Sequence, residues 1–378
     1  MNSDIPSEGS GQGSVPQSPV PIEGDSGGSQ ERPLVRSHAD TGELFRIHLR
    51  NYFLTIVTLG IYRFWAKTKM RRYLWSHVSI EGSRLEYTGT AKELFHGFLF
   101  VFFLIILPLS FFSNMLDVQL GENKPAWIDG ITILLVWFLI GVGFYRARRY
   151  RLSRTRWRGI AGGQEGSAAK YGAMLILSLL ASAVTFGLAW PACSRSLMRY
   201  RLNNARIGDQ AVSSNPSLGP LYGCLFKAFL PAAVGAILAG IALFSLIVEL
   251  DQGVELTAVF GGSLMALGWL TFMSIFVGLT LYKAGELRHF MNHIQFHGLS
   301  VKAHYSLWNA FGLVVGNSFI ELFTLGLGTP WAIQRVLNFM EKYLSVEGAA
   351  DFAALLQNQM EKPSYGEGLA DAFDIGAV

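Results

Sequence analysis

The chain has 378 residues, of which 51% are apolar and 13% aromatic, while only 15% carry charge. This composition excludes an ordinary soluble protein and points to lipid as the solvent for much of the chain. The net charge is a modest +4, and its sorting along the chain is more informative than its size.

The first 38 residues are rich in Gly, Ser and Pro and carry Asp4, Glu8, Glu23 and Asp25. They contain no apolar core and read as a disordered, solvated tail with no signal peptide. Beyond them come long apolar runs at 98–112, 131–145, 171–192, 229–248 and 259–282. The last three reach the roughly 20 residues that cross a hydrocarbon core, and the first two reach it with their flanks. The expected organisation is a membrane domain over 39–348, with segments near 44–65, 94–116, 125–147, 171–192, 222–248, 257–282 and 306–331, and a cytoplasmic C-terminal tail over 349–378. Within that tail, 349–362 has an amphipathic pattern.

Charge orients these segments. Asp117 and Glu122 face a single Lys124 in one loop, and Glu249, Asp251 and Glu255 share another without a base. Lys67, Lys69, Arg71, Arg72, Arg84 and Lys92 crowd the stretch before the first long run, and seven arginines fall between Arg146 and Arg158. Short basic loops stay cytoplasmic, so both termini are expected there. Because the basic runs abut apolar spans, they read as topology signals and contacts to anionic lipid, not as a nucleic-acid surface. Cys193 and Cys224 both fall at the expected cytoplasmic face and read as reduced, apolar side chains.

One element recurs. Thr58-Leu59-Gly60-Ile61-Tyr62-Arg63-Phe64-Trp65 leads into a basic stretch, as do Thr185-Phe186-Gly187-Leu188-Ala189-Trp190-Pro191 and Thr324-Leu325-Gly326-Leu327-Gly328-Thr329-Pro330-Trp331. Seven residues before each Thr stands a polar residue: Asn51, Ser178 and Asn317. Between them, Leu94-Phe95-His96-Gly97-Phe98-Leu99 resembles Leu225-Phe226-Lys227-Ala228-Phe229-Leu230. If the ordinary spans pair through acidic outer loops, each Thr-x-Gly element has basic sequence on both sides. A single crossing would then violate the positive-inside rule, whereas an element that dips in, turns at glycine and returns would not. Four spans with three re-entrant elements, and seven full spans, both stay open.

Short alternating segments follow the basic helix ends, most clearly Val78–Tyr87, with others centred on Gly159, Gly208, Gly298 and Gly348. They read as a small platform of cytoplasmic β-hairpins. The expected fold class is an all-α polytopic membrane protein with internal repeats, broken or re-entrant at Thr-x-Gly, plus short cytoplasmic β-hairpins.

The block Thr41-Gly42-Glu43-Leu44-Phe45 through Asn51, Thr58–Lys67 and Arg71-Arg72-Tyr73-Leu74-Trp75 resembles the YjgN-type, or DUF898, family of bacterial inner-membrane proteins. So do Tyr87-Thr88-Gly89, Glu93-Leu94-Phe95, Arg156-Trp157-Arg158-Gly159-Ile160 and the tail Gly366–Asp374. The resemblance runs from about Asp40 to the end of the chain. It implies a multispanning inner-membrane protein and brings no catalytic, cofactor or binding residues with it.

The residues that stand out are polar groups at membrane depth. Glu321, three residues before Thr324, could bind a cation or carry a proton, or be paired with a base on a neighbouring helix. Asn51 and Asn317 read as cross-helix hydrogen-bonding groups, and Thr58, Gly60, Thr185, Gly187, Thr324 and Gly326 as turn residues. His96 and Lys227 hold matched positions, with Glu93 a turn earlier as a partner for His96. His289, His293 and His297 are spaced for one helix face with Glu286 upstream, but they read as an interfacial polar face and not as a metal site. No nucleophile–base pair or phosphate-binding loop is present, so no enzymatic activity and no cofactor are expected. The expected role is transporter-like or permeation-related, with a non-catalytic scaffold or sensor that binds anionic lipid or a partner as the alternative.

Overall fold

The computed structural model describes residues 31–251 and 256–350. The acidic loop after Asp251 falls largely outside the described residues, as do the tail residues 1–30 and 351–378. Among the described residues the chain is mostly helical, and four helices there are long and apolar enough to cross a membrane: Ala91–Leu120, Ala126–Arg154, Gly219–Ser245 and Met265–Met291.

In chain order, strands β1 (Arg32–Pro33) and β2 (Val35–Ser37) precede helices α1 (Thr41–Val57) and α2 (Arg63–His77). A hairpin of β3 (Val78–Ile80) and β4 (Ser83–Tyr87) follows. The first long helix is α3 (Ala91–Val101) continued as α4 (Leu107–Leu120) through a π-helical segment, Phe102–Ile106. Pro108 lacks the N–H that would close the regular ladder there, and the wider turn accommodates it. Then come α5 (Ala126–Arg154), β5 (Thr155–Trp157), β6 (Ile160–Gln164), α6 (Ala168–Val184) and α7 (Trp190–Asn203). After β7 (Ala205–Ile207), β8 (Gln210–Ala211) and β9 (Ser213–Ser214) stand the long α8 (Gly219–Asp251) and α9 (Leu256–Met291). The chain closes with β10 (Ile294–Phe296), β11 (Leu299–Ala303), α10 (Leu307–Phe323), α11 (Thr329–Tyr343) and β12 (Leu344–Glu347).

Each Thr-x-Gly element is a helical hairpin. In all three turns the residue after Thr is left-handed, Leu59 at φ 49°, Phe186 at 49° and Leu325 at 50°, and the glycine follows at 88°, 87° and 84°. The threonine clamps the turn from both sides. Thr58 Oγ1 donates to Leu54 O (2.7 Å) and accepts from Tyr62 N (2.9 Å). Thr185 does the same with Ala181 O and Ala189 N, and Thr324 with Ile320 O and Gly328 N. One hydroxyl therefore satisfies a carbonyl at the end of one helix and an N–H at the start of the next. Nothing lies within 4 Å of a Cβ built on Gly187, so Gly187→Ala is expected to cost about 1 kcal/mol through backbone strain alone. Thr185→Val removes the clamp and is expected to cost about 2 kcal/mol. Unfolding midpoints in denaturing mixed micelles give both values.

The strands form two antiparallel sheets, β1-β12-β11-β10-β9 and β2-β3-β4-β5-β6-β7-β8. They share their edges, because β1 runs into β2 and β8 into β9. Pro33 pairs with Ser345, Leu34 N donates to Leu344 O at 3.0 Å, and Val35 pairs with Ile80. On the far side, Gln210 pairs with Ile207, Val212 N donates to Ala205 O at 2.9 Å, and Ser213 pairs with Gln295. The result is a closed ring. Two-residue turns with both residues left-handed, Glu81-Gly82, Arg158-Gly159 and His297-Gly298, are type I′ hairpins that match the strand twist.

Two expectations change here. An all-α description understates a chain whose β-hairpins join into one ring, since their backbone edges would otherwise go unpaired. Residues Arg32–Pro33 and Val35–Ser37, which the composition assigns to the N-terminal tail over 1–38, are strands of that ring. Every helical hairpin and every pair of long helices leaves the ring and returns to it.

Candidate functional site

The first and third hairpins meet along α1 and α11. A cluster of Leu44, Met70, Tyr73, Leu74 and Leu337, with Ile333 packed on it, fills the seam on the ring side. Farther along α1, His48 Nε2 lies 3.0 Å from Gly326 O, and Tyr52 OH donates to Leu325 O (3.2 Å). The first hairpin thus supplies partners for carbonyls that the third turn leaves outside any helix.

Between cluster and turn lies a pocket of about 340 Å³, lined by His48, Asn51, Thr55, Lys67, Arg71 and Thr329 among others. Three of its polar groups have local partners. Thr55 Oγ1 donates to Asn51 O (2.7 Å), Thr329 Oγ1 to Gly326 O (2.7 Å), and Arg71, 2% exposed, reaches Tyr87 OH at 3.4 Å. Asn51 is different. It is 4% exposed, and neither its amide oxygen nor its amide nitrogen has a partner among the described residues.

The matched positions in the other hairpins show what a satisfied group looks like. Asn317 donates to Ala332 O (3.3 Å) across its hairpin and accepts from Arg335 (3.0 Å). Ser178 donates to Met174 O one turn back (2.6 Å). Asn317 thus bonds across its hairpin and Asn51 does not; Lys69, which stands in the first hairpin where Arg335 stands in the third, donates to the Tyr62 hydroxyl instead. A buried amide without partners destabilises the folded state. Asn51→Leu keeps the branched skeleton and removes the polar atoms, its slightly larger methyl groups having the pocket to expand into, and it is expected to raise stability by about 1–2 kcal/mol in a thermal unfolding experiment without added solute.

The other singled-out residues lie elsewhere. Glu321 sits on the exposed face of α10, away from this pocket. Thr58, Thr185 and Thr324 are turn clamps, with Gly60, Gly187 and Gly326 beside them, and none lines the pocket. Glu93 pairs with Tyr150 OH (2.5 Å) and Arg154 (2.8 Å) and not with His96, since α5 brings both groups onto its side chain. His289 Nε2 contacts Ser217 O (2.9 Å), His293 Nδ1 contacts His289 O (2.8 Å), and His297 sits in a hairpin turn. Cys193 and Cys224 are free thiols. Arg71 belongs to a run that charge sorting assigns to topology, and no local signal distinguishes it from its exposed neighbour Arg72.

Residues 33–372 match the family model described as "Bacterial protein of unknown function (DUF898)". The chain belongs to this family. It is similar to the inner membrane protein YjgN of Salmonella typhimurium, with 26% identity over 373 residues, covering 85% of this chain and 90% of that protein. A shorter stretch is 40% identical over 74 residues to the inner membrane protein YjgN of Escherichia coli, covering 18% of this chain and 19% of the relative. No solved structure matches the chain. Together with its apolar helices, these relatives place this DUF898 member in the inner membrane as an integral protein.

Proposed function

We propose that the protein crosses the inner membrane four times, inserts three re-entrant hairpins from the cytoplasmic side, and binds a small polar solute between the first and third hairpins as part of permeation. The reading involves no catalytic chemistry. The buried, unpartnered amide of Asn51 carries it: a group of that kind facing a 340 Å³ pocket gains a partner when a polar solute enters. The test compares thermal unfolding of the wild-type protein and Asn51→Leu with a panel of small carboxylates, phosphates, sugars and amines. Stabilisation of the wild type that vanishes in the variant supports the reading; a panel that never separates the two sinks it.

The re-entrant topology has separate support. At each hairpin tip an apolar side chain stands almost free, Leu59 at 93%, Phe186 at 92% and Leu325 at 77% exposure. A 17-residue helix is about 25 Å long, short of the roughly 30 Å hydrocarbon core. Tips that end inside lipid explain both features. Cysteines at positions 154 and 204 should react with an impermeant maleimide only from the cytoplasm, and cysteines at 59, 186 and 325 from neither side. Periplasmic labelling of any tip refutes the topology.

The scaffold alternative draws on the basic strands of the ring, where Arg156 and Arg206 extend from β5 and β7. It expects binding to anionic liposomes that charge reversal across 146–158 abolishes.

A further inference from the structure

The lumen of the β-ring holds a half-open cavity of about 540 Å³. Its wall is built from both sheets and both shared strands, with Leu34, Trp157, Val212, Phe296 and Val346 among its apolar contributors. Trp157 and Phe296 meet across it edge to face, with centroids 6.4 Å apart. Small β-barrels ordinarily fill their interior with side chains, and protein cores leave few voids larger than a water molecule. An apolar lumen of this volume is instead the size of a ligand site, roughly 300–1,000 Å³.

One wall of the cavity is not apolar. The last turns of α5 and the residue that follows them place Arg148, Arg151, Leu152 and Thr155 along it, the spacing of a single helix face. Gly162 makes this close fit possible, since a Cβ there would stand 2.8 Å from Leu152 O. The nearby arginines of α5 have partners: Arg149 donates to Gly166 O, and Arg154 pairs with Glu93. Arg148 has neither a hydrogen bond nor an ion pair to any described residue, and its Nε is buried. The charges that bear on it most are Arg201 and Arg151, both of its own sign. The carboxylate that lines the same cavity, Glu81, is paired with Arg32 at 3.3 Å. A half-buried cation beside other cations and without an ionic partner favours an anion.

We propose that the ring lumen is a binding chamber for a single acyl chain bearing an anionic headgroup, with the chain against the strands and the headgroup on Arg148. The two halves of the site select the two halves of such a ligand. A small inorganic anion would leave the apolar wall uncovered, and a neutral alkane would leave Arg148 without its counter-charge. The proposal stands apart from the Asn51 pocket, with which the lumen shares no lining residue.

The test uses the full chain purified in a non-ionic detergent and a photoreactive palmitate analogue, with the cross-linked residues mapped by mass spectrometry. Label is expected on β5, β6, β10 and β11, displaced by excess palmitate but not by hexadecanol. Arg148→Gln should lower lumen labelling about tenfold, the scale of one charge-assisted contact. Val301→Trp adds bulk to the lumen from β11 while leaving Arg148 itself unchanged and should lower it as far, which keeps the test decisive if the arginine variant fails to fold. Label confined to the outer faces of the membrane helices overturns the proposal. So does equal displacement by hexadecanol, or lumen labelling unchanged in Val301→Trp.

Discussion

Gly172→Leu is expected to destabilise the protein by about 3 kcal/mol, because it forces apart two helices whose backbones touch. A Cβ on Gly141 of α5 would lie 2.9 Å from Gly172 Cα, and a Cβ on Gly172 of α6 would lie 2.9 Å from Phe138 O. In lipid the hydrophobic effect does not hold helices together, and close packing at small residues carries that role. The contact continues toward the ring as Tyr145, Tyr171 and Leu197, all buried, with the two tyrosine rings 5.2 Å apart. Separating α5 from α6 therefore also loosens the second hairpin. The control is Gly223→Ala on α8, where nothing lies within 4 Å of the added carbon and a gain of up to about 1 kcal/mol is expected from helix propensity. Unfolding in mixed micelles measures both; equal stability of the two variants would show that the α5–α6 approach does not matter.

Glu286→Ala should have an effect of similar size. This carboxylate is 5% exposed and accepts from Ser194 of α7, from Tyr282 OH at 3.0 Å and from Lys283 Nζ at 2.7 Å. It ties the second hairpin to the last long helix. Truncation leaves two buried hydroxyls without an acceptor and is expected to cost about 3 kcal/mol. Glu286→Gln keeps one acceptor oxygen and should lose about half of that. Limited proteolysis in the segment 204–218, which follows α7, reports whether the hairpin has detached. An unchanged cleavage pattern in Glu286→Ala would remove the carboxylate from this role.

Several of these features are written locally. Each Thr-x-Gly turn needs a hydroxyl that reaches four residues in either direction and a glycine that tolerates positive φ, so three separate stretches carry the same pattern, although the pattern alone leaves a full span open. The Gly-containing ring turns are legible for the same reason. Glu286 is less so, because its partner Ser194 is 92 residues away, and in sequence it looks like a neighbour of His289. Glu93 is a similar case, with Tyr150 and Arg154 at 57 and 61 residues' distance. Glu321 stands out in sequence as a rare acid at depth, yet α10 turns it to the exposed face.

By itself the sequence determined that this is a membrane protein, where its four longest helices lie and which loops are basic. Those properties follow from runs of apolar residues and sorted charge. The sequence left open whether the Thr-x-Gly segments turn back, and the run 171–192, long enough to cross alone, is broken at Thr185. Only the tertiary structure decided that the hairpin strands close into a ring with an apolar lumen, since closure depends on 32–37 and 210–214 each pairing with strands from two sheets. It also decided which of two similar asparagines matters. Asn317 meets Arg335 and Ala332, while Asn51 faces a pocket with its amide unmet among the described residues, because hydrogen-bond partners are set by how whole helices pack and not by local sequence.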